Sequence, residues 1–163
     1  MLSPKQLSSS DLFPSESPYA ELAAFLGLTE ALTMLHHSHH WQTHGEPFYG
    51  DHILLQKLYE TTQDEVDVLG EKLIGVSKDV SLTNYFSRVG VMKRFLDEVS
   101  DPSLSYIEVS YKAEKAYLSF GEALVEDLST KGLLTTGLEQ AIGNILDTHE
   151  GHLYLLGQRV KKL

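Results

Sequence analysis

The 163-residue chain predicts an all-α fold, an antiparallel four-helix bundle with a short extra helix in the connection between the second and third long helices. Three observations carry this reading. Apolar residues recur at three- and four-residue spacing over four long stretches, no stretch alternates apolar and polar residues as a strand would, and turn signals at Gly45-Glu46-Pro47, Asp101-Pro102 and Lys131-Gly132 punctuate the chain. Residues 1–16 (MLSPKQLSSSDLFPSE) mix Ser and Pro with little apolar content and are expected to form a flexible tail, leaving 17–163 as one domain. The first helix is expected from Ser17, with Pro18 at a first helical position and Leu28, Leu32 and Leu35 on its apolar face. Asp51 is expected to cap the second, whose stripe Leu55, Leu58, Thr62, Val66, Leu69 and Leu73 runs to about Val76. A shorter apolar piece around Val91 to Val99 stops at Asp101-Pro102, and long helices follow from about Ser103 to Thr130 and from about Thr135 to Val160.

Composition narrows the chemistry. There is no run of about 18 apolar residues to span a membrane, and residues 1–16 lack the basic and apolar parts of a signal peptide, so a soluble, cytoplasmic protein is expected. With no cysteine, any metal must be held by imidazole and carboxylate, which favours iron, zinc or manganese. The net charge of −10 opposes nonspecific attraction to nucleic acid, and an acidic surface or cavity would concentrate cations.

The residues that best suit such chemistry are His40, His52, Asp67 and Glu71. Asp67 and Glu71, four apart, project from one helical face, and the Gly-Glu-Pro turn between His40 and His52 can bring the two imidazoles together. On one continuous helix, however, His52 and Asp67 lie about 22 Å apart at about 1.5 Å per residue. They cannot share a metal within one subunit. Each chain thus offers two half-sites, and a two-fold dimer with antiparallel second helices would bring the His pair of each subunit against the carboxylate pair of the other.

The run from His39 to Leu73, HHWQTHGEPFYGDHILLQKLYETTQDEVDVLGEKL, resembles the core motif of the Dps family, the ferritin-like mini-ferritins of prokaryotes. His40-Trp41, Gly45, Phe48, His52, Asp67, Glu71 and Lys72 fill that motif in register, and DTHEGHLYLLGQRV is similar to the family's last helix. The resemblance covers most of the chain, with 1–16 and 78–102 loosely matched. It implies a ferritin-like bundle whose small extra helix lies at a dimer interface, and a ferroxidase that binds Fe(II) between subunits through His40, His52, Asp67 and Glu71. It also implies oxidation preferably by hydrogen peroxide, storage of ferric iron in a hollow twelve-subunit shell and protection from oxidative damage. Trp41 would sit beside the iron, where its indole can be oxidised in place of a diffusing radical. Ferritins with a site inside one bundle use Glu-x-x-His pairs on inward-facing helices; this chain has none, which points to the site between subunits.

Simpler readings stand beside these. Asp67 and Glu71, next to Asp64, Glu65 and Lys72, fit an ordinary charged face, and Trp41 fits a core or interface side chain. His36, His37, His39 and His44 read as a solvated helix end, with His36 the best candidate for an auxiliary ligand one turn from His40. His149, Glu150 and His152 look like a further metal cluster but are read as the polar face of the last helix, and Glu126 and Asp127 as a solvated helix end or the rim of an ion pore. A rival function is DNA coating, but residues 1–16 carry only Lys5 against Asp11 and Glu16, and Arg159, Lys161 and Lys162 form a short basic end. A third is a shell or interaction protein without chemistry.

Overall fold

The computed structural model describes residues 17–160, and every regular element among them is helical. The long helices are α1 (Ala20–Gln42), α2 (Phe48–Ser77), α4 (Tyr106–Thr130) and α5 (Thr136–Val160); a 3₁₀ turn (Val80–Thr83) and α3 (Tyr85–Val99) lie between α2 and α4. The expected tail at 1–16 and the basic pair Lys161 and Lys162 lie outside the described residues. No helix among them is long and apolar enough to cross a membrane.

The four long helices touch in a closed cycle, α1 on α2, α2 on α5, α5 on α4 and α4 on α1, while α3 lies against α1. That arrangement explains the sequence of α1. Flanked by three helices, it is buried without interruption from Leu22 to Thr29 and is apolar on nearly every side there, unlike the one-sided stripes of the others. Gly27 lets α3 come close: a Cβ at that position would meet Val91 Cγ1 at 3.0 Å.

Helix ends follow local chemistry. Ser105 and Glu108 form a reciprocal capping box on α4, with Ser105 N–H donating to Glu108 Oε2 at 3.0 Å. Asn84 accepts from Phe86 N–H at 3.0 Å, which starts α3 six residues before the Val91 expected from apolar spacing alone. The Asp51 cap expected for α2 is not found. The helix starts at Phe48 because Pro47, with φ −80°, enters the first turn itself and its carbonyl accepts from Asp51 N–H at 3.1 Å. Asp51 lies inside that turn instead, buried, and accepts from Arg159 Nε at 2.7 Å.

The interior divides into unequal parts. The larger apolar cluster gathers Phe25, Leu69, Tyr117 and Ile145, with Phe25 stacked on Tyr117 at 4.7 Å. A smaller one holds Leu55, Leu58, Ile107 and Leu156. Along α2 and α5 the residues between these clusters are polar and buried: Thr62 and Glu65 on α2, His149 and His152 on α5.

Candidate metal sites

The first site lies at the corner where α1 turns into α2. His40, at the end of α1, and His52, in the second turn of α2, stack with ring centroids 3.6 Å apart. The connection of residues 43–47 is short enough to fold the two helices back on each other, so the imidazoles meet as the spacing predicted. Nδ1 of His40 donates to the carbonyl of His52 at 2.8 Å, and Nδ1 of His52 donates to the carbonyl of His40 at 2.9 Å. A carbonyl can only accept, so each Nδ1 donates, and the lone pair of a neutral ring is then on Nε2. That tautomer suits metal ligation through Nε2, with the second nitrogen anchored on a backbone oxygen.

Around this pair the aromatic side chains form a chain of contacts. His37 packs on Trp41 and on Tyr59, each at 4.1 Å, and Tyr59 meets the edge of His40 at 5.4 Å. Trp41 is 67% exposed, which sets aside its reading as a core side chain within the single chain. His44 is exposed and bonds only the nearby Gln42 carbonyl, in keeping with a solvated helix end.

Asp67 and Glu71 lie far from His52 along the same uninterrupted helix, so a single chain does not bring His40, His52, Asp67 and Glu71 together. Both carboxylates are exposed and line a groove with Leu26, Met34, Val66 and Ile74, and with the Arg88–Glu30 ion pair of 2.6 Å. His37 lines the same groove, so the aromatic chain around His40 reaches its wall. Burial raises the pKa of Glu30, and the Arg88 charge opposes that rise.

The second site includes His149 and His152, which the sequence reading sets aside as a polar face, and adds Glu114 and Glu65, which it misses. Glu114, at the middle of α4 and fully buried, gathers three imidazoles: Oε2 accepts from His149 Nδ1 at 2.6 Å, and Oε1 accepts from His36 Nε2 at 2.8 Å and His152 Nδ1 at 3.3 Å. His149 Nε2 reaches Glu65 Oε2 at 2.8 Å, and Tyr117, bonded to Thr29 at 2.8 Å, covers its ring. Beyond His36 the network continues to Ser110 and His39, 3.2 and 2.9 Å away along the chain of bonds. Every long helix contributes a member. The polar, solvated reading of His149 and His152 is therefore corrected, as it is for His36 and His39: all four are buried, because they occupy the inward register of their helices.

Electrostatics fix the protons in this network. Burial alone would raise the pKa of Glu114, but the charge of His149 and hydrogen bonds from His149, His152 and His36 hold its carboxyl well below the ordinary range. Burial alone would lower that of His149; the Glu114 charge and the bonds to Glu114 and Glu65 override it and lift the pKa to about 9. With a carboxylate at each nitrogen, both must donate, and the ring is an imidazolium. Burial pushes His36 down, and burial with the neighbouring His36 pushes His39 down to about 4, so both are neutral. His39 Nδ1–H then donates to Ser110, the Ser110 hydroxyl to His36 Nδ1, and His36 Nε2–H to Glu114. The sequence held a signal for this site that composition hides: Glu65, Glu114, His149 and His152 fall in register with Leu58 and Leu69, Ile107 and Tyr117, and Ile145 and Leu156, positions that otherwise carry apolar side chains.

Comparison with protein-family models, with curated proteins and with solved structures finds no match to this chain.

Proposed function

We propose that this chain is a Dps-like ferroxidase with a ferritin-like four-helix bundle, in which Fe(II) is the substrate and the site forms between two copies. The observation that carries the reading is the pair His40 and His52, whose Nδ1–carbonyl bonds leave two Nε2 lone pairs ready for a cation. Asp67 and Glu71 supply the complementary half, anionic and exposed on a groove that has no cation of its own beyond Arg88. Two imidazoles and two carboxylates from opposite subunits hold Fe(II) without filling its coordination sphere, and the carboxylates favour the harder Fe(III) as it forms.

The surfaces around both half-sites suit such an assembly. Trp41, Phe48, Tyr49 and Ile53 are exposed near the His pair, while Val80, Tyr85, Phe86 and Val89 are exposed on the segment that follows α2. Water-exposed apolar groups in this number favour a covering partner, and a second copy is the partner that also completes the site. Hydrogen peroxide is the preferred oxidant in this reading: two Fe(II) each give one electron, the peroxide takes up two protons, and two waters leave. Trp41, against His37 and next in sequence to His40, is placed to supply an electron when only one iron is present. The ferric product is stored in a shell of twelve copies, which limits oxidative damage elsewhere.

The test is stopped-flow absorbance of anaerobic Fe(II) mixed with hydrogen peroxide, with and without the protein. Oxidation many-fold faster with protein, at about two irons per peroxide, is the expected result; a rate no faster than buffer would remove the reading.

A further inference from the structure

We propose that each chain also binds a divalent first-row transition ion in its interior, through Glu114, His149 and His152, at a site separate from the one between subunits. The ligand atoms of these three residues all lie within 4.8 Å of one another and are shielded from water. Metal–ligand bonds of about 2.1 Å need neighbouring ligand atoms about 3 to 3.5 Å apart; the two contacts with Glu114, 2.6 Å to His149 and 3.3 Å to His152, lie within tenths of an ångström of that range, and the two imidazoles would close around the ion from no more than 4.8 Å. Two imidazoles and one carboxylate form a set that Fe(II) and Zn(II) both accept, with positions left open.

The surroundings are those of a supported metal site. Glu65 accepts from the far nitrogen of His149 at 2.8 Å, and would hold that ring for ligation through Nδ1 in the carboxylate–histidine–metal arrangement. His36 does the same for Glu114, bonding Oε1 at 2.8 Å and being held in turn by Ser110. Charge points the same way. Two carboxylates, Glu65 and Glu114, are buried together in the interior, where an unpaired carboxylate is costly and a bound cation would offset it. A network meant only for packing would be cheaper as apolar side chains, since burying charges in this way rarely stabilises a fold. Glu65 and His36 are positioning residues here, and Glu114, His149 and His152 are the ligands.

The test starts from the full-length variant His40→Ala, His52→Ala, Asp67→Ala, Glu71→Ala, which lacks the other ligand set, stripped of metal and dialysed against Co(II). Retention of about one Co(II) per chain, with visible absorption of a low-coordinate nitrogen–oxygen site, is expected, together with a higher thermal midpoint than the stripped form. Adding His152→Gln should weaken Co(II) binding at least tenfold and abolish the thermal shift, while circular dichroism confirms the helices. Glu65→Gln should retain the ion more weakly, with an altered spectrum. Failure of the four-residue variant to retain Co(II) would overturn the proposal without any substitution in the core. Unchanged retention after His152→Gln would overturn it equally.

Discussion

The rings of His40 and His52 each hold the backbone of the other residue, through Nδ1–carbonyl bonds of 2.8 and 2.9 Å, while they stack at 3.6 Å. The same two bonds tie the end of α1 to the start of α2 and set which nitrogen of each ring is free. Stability and ligation are thus coupled at this corner. Replacing His52 by Ala removes its hydrogen bond to the His40 carbonyl and the ring stack, leaving that carbonyl with Thr43 Oγ1 at 3.1 Å, and is expected to cost about 1 kcal/mol of stability. It should also abolish rapid Fe(II) oxidation. Chemical unfolding and stopped-flow kinetics on the same variant check both, and a variant that oxidises iron at the wild-type rate would exclude His52 as a ligand.

Asp67 and Glu71 behave differently, because neither is buried in the single chain. The double variant Asp67→Ala, Glu71→Ala should lose the rapid oxidation phase by at least tenfold, yet keep its helices and assembly, since ligands rather than core atoms are removed. Relief of repulsion between the two carboxylates should leave the stripped protein as stable as before or slightly more so. Oxidation traces that overlay the wild type would take this half-site out of the mechanism.

The buried network makes the stability of the metal-free protein depend on pH from two directions. His39 has its pKa pushed down from 6.5 to about 4 by burial and then by His36, so the stability it contributes is present above about pH 6.5 and is lost as pH falls toward 4. His149 is the opposite case. Burial is outweighed by Glu114 and Glu65, its pKa rises from 6.5 to about 9, and its contribution is present below about pH 6.5 and lost as pH rises through 9. A thermal midpoint measured in chelator against pH should therefore peak near neutrality. His149→Gln should flatten the alkaline limb and leave the acid limb in place; an alkaline limb of unchanged slope would show that His149 is not the group responsible.

DNA coating is expected to be absent. Among the described residues of the basic C-terminal end, Arg159 is committed to Asp51 at 2.7 Å, and the chain carries a net charge of −10. At moderate salt the protein should not retard duplex DNA in a native gel. Retardation that fades steeply with added salt would show that the terminal cations suffice when many copies display them.

Much of the helical layout was legible in the sequence, because apolar spacing in the long helices is set by the same inward register that packs them. The His40–His52 contact was legible too, since a short turn forces the flanking residues together. What escaped was whatever depended on a partner far along the chain. Asp51 looked like a cap until Arg159, from the other end, came beside it. His149 and His152 looked like a solvated face, because a polar residue in the inward register counts against burial until the carboxylate that satisfies it is known; Glu114 lies 35 residues away from His149. His36 lies one turn from His40 on the same helical flank, but its partner is Glu114 in the interior, whereas His40 pairs with His52 at the helix corner.

The claim that the iron site is shared across two subunits is tested most directly by mixing two inactive chains. The variant His40→Ala, His52→Ala keeps only the carboxylates, and Asp67→Ala, Glu71→Ala keeps only the imidazoles, so each alone should oxidise Fe(II) no faster than buffer. Co-assembled in equal amounts with random pairing, about half the dimers are mixed, and one of the two sites in each mixed dimer has all four ligands. Roughly a quarter of the wild-type sites, and of the rapid oxidation amplitude, should return. Mixed assemblies confirmed by native mass spectrometry that restore no oxidation would contradict a site built from both subunits.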